Sequence, residues 1–265
     1  MAIELFSISD LTQLEPLQPA GWAPIKPFFE FYLRNRFCFP IKYTSRGNII
    51  GIGTAIRHQD TAWIAHIIVN TNFRNQGIGT SITRHLIASL QAEGVKTISL
   101  IASSLGEPVY KKLGFEKDID YAFFKSEKKF HARARQSVSF EPRFQDQLLA
   151  LDARVYGEVR TQLVLPHIDH ARIIVQDNEV TGVYLPTLGE GPVIAQTDFA
   201  GHALLAEKHY HENTRVVFPV ANKTAIQFLH DHGFVQFLTG SRMRLGHIIP
   251  YQPSKIYNRT GGNLG

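Results

Sequence analysis

Arg74-Asn75-Gln76-Gly77-Ile78-Gly79-Thr80 closes one apolar run, Trp63-Ile64-Ala65-His66-Ile67-Ile68-Val69, and opens an amphipathic stretch over residues 78 to 93. Two glycines two residues apart let the backbone turn tightly and come close to a ligand. The N–H groups of Gly77, Ile78, Gly79 and Thr80 would then project from a helix start, where unpaired donors and the helix dipole favour an anion. Such a loop suits a diphosphate. It is not a P-loop, because no Lys follows Gly79. It is not a dinucleotide fingerprint either, since Ile82 stands where the third glycine belongs and no strand ending in an acidic ribose contact follows about 20 residues on.

The elements that must hold this loop can be read on either side of it. Trp63 to Val69 is a near-continuous apolar run of the kind found in the middle of a sheet. The helix after the loop is capped by Gly94, and the strand Thr97 to Ala102 follows. Then comes Ser103-Ser104-Leu105-Gly106-Glu107-Pro108-Val109-Tyr110-Lys111-Lys112-Leu113-Gly114-Phe115. Its spacing predicts a short helix with Ser104 as N-cap, Pro108 in the first turn, and Gly114 as the left-handed stop.

Arg/Gln-x-x-Gly-x-Gly after a buried strand, followed at this distance by a helix ending in Tyr-x-x-x-Gly-Phe, resembles the GCN5-related N-acetyltransferase (GNAT) family. The resemblance implies acetyl-coenzyme A as co-substrate and a mixed α/β (α+β) sheet flanked by helices. The coenzyme's diphosphate would lie on Arg74, Asn75, Gln76, Gly77, Ile78, Gly79 and Thr80, with Ser103 nearby. Its pantetheine would run along Ile67, Ile68 and Val69, with the N–H of Ile67 facing the thioester oxygen. Tyr110 would be the acid that protonates the leaving thiolate. The implied reaction is direct attack of a primary amine, on a small molecule or a peptide, on the acetyl carbon. A non-catalytic acyl-coenzyme A sensor is the alternative. The proton acceptor stays open between His66, Glu30 and water, and Trp63, Phe28, Phe29 and Tyr32 are candidates to line an acceptor pocket.

The chain repeats itself. Ser103 to Phe115 has a counterpart 119 residues on, Asn222-Lys223-Thr224-Ala225-Ile226-Gln227-Phe228-Leu229-His230-Asp231-His232-Gly233-Phe234, and each follows a short strand, Thr97 to Ala102 and Val216 to Ala221. The second copy reads Ala195-Gln196-Thr197-Asp198 where the loop should be, and Leu229 replaces Tyr110. With Tyr156-Gly157-Glu158-Val159-Arg160, Gly191-Pro192-Val193-Ile194-Ala195 and Arg242-Met243-Arg244-Leu245-Gly246, this resembles bacterial two-domain acetyltransferases of the YitH-like subgroup, whose second domain is degenerate. The expected organisation is tandem folds, residues 1–133 catalytic and residues 134–265 a degenerate copy that packs, dimerises or shapes a pocket.

A chain of 265 residues with 44% hydrophobic content can fill two modest cores. There is no apolar run of membrane-spanning length, and Met1 to Phe6 does not read as a signal peptide. With Cys38 alone, a cytoplasmic location is the expectation. The net charge of +5 is spread along the chain. Its densest run, Lys125, Lys128, Lys129, Arg133 and Arg135, reads as a solvated connector and not as a nucleic-acid patch. His167 and His170 flank Asp169 but lack cysteine partners, so no metal is expected. The remaining elements read as a strand Ile3 to Ile8, a helix Trp22 to Arg34 with Pro24 near its start, strands Ile41 to Thr44 and Asn48 to His58, a strand Phe115 to Lys125, and helices Phe144 to Val155 and Glu158 to Val164.

Overall fold

The computed structural model describes residues 2–126, 136–210 and 215–265. The chain forms two compact units, Met1–Glu116 with Met243–His247, and Lys117–Arg242 with Ile248–Gly265. The first contains β1 (Ala2–Leu5), α1 (Lys26–Arg34), β2 (Cys38–Ser45), β3 (Asn48–His58), β4 (Thr61–Val69), α2 (Ile78–Ala92), β5 (Thr97–Ala102) and α3 (Glu107–Lys112). Then come β6 (Glu116–Lys125), β7 (Val138–Ser139), α4 (Gln145–Tyr156), α5 (Thr161–Val164), β8 (Arg172–Gln176), β9 (Glu179–Tyr184), β10 (Val193–Ala195), α6 (Asp198–Tyr210), β11 (Val216–Pro219), α7 (Lys223–Asp231), β12 (Val235–Gly246) and β13 (Ile256–Asn258).

In the first unit β1 to β4 form an antiparallel run, and β5 joins β4 in parallel through the crossover helix α2. The apolar face of α2, Ile78, Ile82, Leu86 and Leu90, is buried at the helical repeat. It lies close against β3 because Gly53 has no side chain there. A Cβ on Gly53 would stand 2.6 Å from Ile82 Cγ2 and 2.7 Å from Ile67 Cδ1.

Several element ends differ from their sequence expectation for local reasons. The first strand stops at Leu5, since Ser7 and Asp10 cap a 3₁₀ turn over Ile8–Gln13. The helix expected from Trp22 begins at Lys26, with Pro27 and not Pro24 in its first turn. Gly106 is the N-cap of α3, and Ser103 Oγ, not Ser104, accepts the Gly106 N–H at 3.2 Å. The second copy's strand ends at Pro219 and not Ala221, and its Glu158 helix begins at Thr161.

The closing strand of the first repeat, from Lys117 on, and the end of the closing strand of the second repeat, from Met243 on, each belong to the other compact unit. β6 starts at Glu116 and β12 at Val235, 119 residues apart, as the repeat requires. However, Lys117–Lys125 belongs to the second unit, where Tyr121 to Phe124 pair with Pro219 to Val216 of β11. Met243–His247 belongs to the first unit. There Met243 is fully buried with Leu100 and Phe115, His247 N–H donates to the Lys96 carbonyl, and Thr97 Oγ1 donates to the His247 carbonyl at 2.9 Å. The compact units therefore part after Glu116, while the expected division at 133/134 falls among residues 127–135, outside the described residues. Lys128, Lys129, Arg133 and Arg135 also lie there. Lys125, at the end of β6, sits 5.6 Å over the Phe237 ring.

Leu229 and Phe234 are buried in the second unit, and the Phe234 N–H closes α7 on the Leu229 carbonyl at 2.9 Å. Phe234→Ala is expected to cost the chain about 3–5 kcal/mol in denaturant unfolding. A loss below about 1 kcal/mol would show that the ring does not anchor the helix.

Candidate functional site

The glycine loop Arg74 to Thr80 is an exposed turn at the N-terminus of α2. Asn75 (φ +62°) and Gly77 (φ +78°) are left-handed, which turns the chain sharply into the helix, and Arg74 Nε donates to the Val69 carbonyl at 3.3 Å. The first turn leaves the N–H groups of Ile78, Gly79 and Thr80 without helical acceptors. A Cβ on Gly79 would meet only Val69 at 3.6 Å and Ile67 at 3.9 Å. The backbone there is bare toward solvent and underlain by the side chains of β4.

Between β4 and its neighbours the sheet opens. β4 pairs with β5 only over Thr61 to Trp63, after which the two strands part. On the other edge the register with β3 slips, and Gly53 faces both His66 and Ile67. That bulge puts His66 at φ +49°, an uncommon conformation for a non-glycine residue. Ile67 and Val69 turn toward Gly79 on the α2 side. His66 meets the aromatic rings of α1, with Phe28 at 4.9 Å and Phe29 at 6.0 Å, and its Nδ1 lies 2.7 Å from Tyr32 Oη.

Sequence reading missed this bulge. The available signal was Gly51-x-Gly53 inside an apolar strand, where an isolated glycine marks close approach or a bulge.

Tyr110 lies on α3, packed against the same core as Ile67 and Val69, with its ring 5.8 Å from Phe115. Burial pushes its hydroxyl up to about 12, so it carries its proton throughout the neutral range. Cys38 is buried and likewise pushed up to about 12, which removes it as a thiolate nucleophile. Of the proposed pocket aromatics, Trp63, Phe29 and Tyr32 are core residues, whereas Phe28 is half-buried. Trp22, 53% exposed and 6.2 Å from His66, completes the aromatic wall and was not among them.

Burial holds the His66 ring down to about 4, so it is neutral at pH 7. Between pH 6.5 and 4 the unfolded chain takes up this proton first, and stability therefore falls as pH falls. The effect is on the order of 3 kcal/mol. His66→Gln is expected to flatten the dependence of the urea midpoint over that window. An unchanged slope would show that His66 titrates normally.

Among the described residues no cluster of three or more His, Cys, Asp or Glu side chains is placed to hold a metal ion. His167 Nδ1 pairs with the Thr187 hydroxyl at 2.9 Å. No helix of the described residues is long and apolar enough to cross a membrane.

Residues 5–115 match the family model described as Acetyltransferase (GNAT) family, and residues 148–258 match a second, Acetyltransferase (GNAT) domain. The chain belongs to the GNAT family, as a tandem of two GNAT domains. No curated protein sequence matches it. Among solved structures, an acetyltransferase candidate from Pyrococcus horikoshii is 22% identical with a TM-score of 0.86, covering 100% of this chain and 95% of its own. A GCN5-related N-acetyltransferase from Sphaerobacter thermophilus is 13% identical with a TM-score of 0.67, covering 94% and 98% respectively. At these identities the likeness establishes the tandem GNAT fold. That fold generally serves acyl transfer from acyl-coenzyme A to an amine.

Proposed function

We propose that this tandem GNAT protein is an N-acetyltransferase that moves acetyl from acetyl-coenzyme A to a primary amine of a small molecule or peptide, with the chemistry in the first unit. The observation that carries the reading is the continuity of three features. An exposed glycine loop at the start of α2 adjoins strands that part after Trp63, and a bulge at Ile67 lies beside them. Bound acetyl-coenzyme A would supply an activated acetyl thioester. The N–H groups of Gly77 to Thr80 hold the diphosphate, and the backbone of Ile67 to Val69 pairs with the pantetheine arm.

The Ile67 N–H, aimed by the bulge, stabilises the negative charge that grows on the thioester oxygen as the amine attacks. The Tyr110 hydroxyl, protonated at neutral pH, gives its proton to the departing sulfur. His66, held near 4, is a poor match for a base at pH 7, where an efficient proton acceptor has a pKa near the working pH. The ammonium proton then goes to Glu30 or to water. A sensor would need the loop but no acid beside it, and Tyr110, packed in the same core cluster as Ile67 and Val69, favours the enzyme.

Tyr110→Phe is expected to lower turnover by roughly 10²-fold or more while leaving coenzyme A affinity nearly unchanged, because the hydroxyl acts in the transition state. Thiol release measured with a panel of primary amines tests this. An unchanged rate under conditions where chemistry is limiting would remove Tyr110 from the acid role.

A further inference from the structure

The 119-residue repeat puts α6 where α2 stands, β11 where β5 stands, and Asp198 where Gly79 stands. Had the second copy lost only its glycines, the cleft between β10 and β11 would be open. β13 fills it. It runs antiparallel to β10, with Val193 opposite Asn258 and Ile194 opposite Ile256. On its other side it is tied to β11. The Val217 N–H donates to Asn258 Oδ1 at 3.0 Å, and the Arg259 N–H donates to the Val217 carbonyl at 2.8 Å.

Tyr257, fully buried, lays its ring on the bare backbone of Gly201 in α6, where an added Cβ would come within 2.2 Å of the ring. Its hydroxyl donates to Asp198 Oδ1 at 2.7 Å, and Thr224 Oγ1 donates to the same oxygen at 2.9 Å. Asp198 is the first residue of α6. A carboxylate is thus fixed at the helix end whose dipole favours an anion.

We propose that the second cleft is a peptide site occupied by the chain itself. Ile256–Asn258 stands where the pantetheine arm lies in the first cleft, and the Asp198 carboxylate, held by Tyr257, stands where the diphosphate lies. The comparison with coenzyme A rests on the function proposed above; the occupancy of the cleft does not. A strand suits the cleft for the reason pantetheine does, since both present amide groups to strand edges that lack a neighbour. Loss of the glycines, the carboxylate at position 198 and the glycine beneath Tyr257 then form one device that closes the second copy to the cofactor.

Amide hydrogen exchange on the full chain, with and without saturating coenzyme A, tests this. The expected result is strong protection of residues 216–218 and 256–259 that coenzyme A does not alter, together with new protection at 76–80. Asn258→Ala should raise exchange at 193–195, 216–218 and 256–259 tenfold or more while protection at 76–80 persists. Should that variant not fold, Tyr257→Phe removes only the hydroxyl on Asp198 and should raise exchange at 198–201. Release of 256–259 with protection of 196–201 on adding coenzyme A would overturn the proposal, as would exchange of 256–259 at the rate of an unstructured segment. Protection of 256–259 without any effect of coenzyme A at 76–80 would support the peptide site and contradict the proposed function.

Discussion

Gly79→Glu is expected to abolish coenzyme A binding in a correctly folded protein. Within the protein the position tolerates a side chain, since an added Cβ meets only Val69 and Ile67 at ordinary contact distances. The new carboxylate would instead project among the N–H groups of the first turn of α2, into the space assigned to the diphosphate. Two like charges about 4 Å apart near a protein surface repel by about 4 kcal/mol, which is roughly a 10³-fold loss of affinity. Gly79→Ala adds bulk without charge and should cost far less. Titration calorimetry on both variants, with circular dichroism to verify folding, reads the difference. Equal affinity of the Glu variant and the parent would place the diphosphate elsewhere.

The second large effect concerns the division of the chain. Residues 1–126 alone are expected not to reach the folded first unit, because Met243–His247 is missing from it. Met243 is fully buried in that core, and deleting such a side chain alone costs about 2–5 kcal/mol. Removal of the whole segment also takes away the partners of the Lys96 carbonyl, just before β5, and of the Thr97 hydroxyl, on its first residue. A cooperative unfolding transition in the isolated segment, with coenzyme A bound as by the full chain, would contradict this.

The parts of the fold legible in the sequence are those set by local pattern. The boundaries of β3 and β5, and the start of α2, follow from apolar runs punctuated by glycine, and the repeat announces itself through Gly114-Phe115 and Gly233-Phe234. Strand partnership is not local. The strand Glu116–Lys125 buries Tyr121 to Phe124 in succession, and such an apolar run does not name the strand beside which it lies. The turn into α2 was legible from its glycine spacing, and the short helix that carries Tyr110 from its Gly114 stop. The left-handed His66 was not, since the slip that creates it depends on how Gly53 and Ile82 fit together across two elements. Nor was the role of β13, three residues whose meaning comes from the cleft they enter.

The most direct measurement is coenzyme A thiol release from acetyl-coenzyme A over a panel of primary amines, run in parallel on the unaltered chain and on Gly79→Glu. The expected result is release that depends on at least one amine, yields one acetylated amine per thiol, and disappears in the variant. Release that is independent of every amine, or that survives Gly79→Glu, would contradict an N-acetyltransferase working through the first unit.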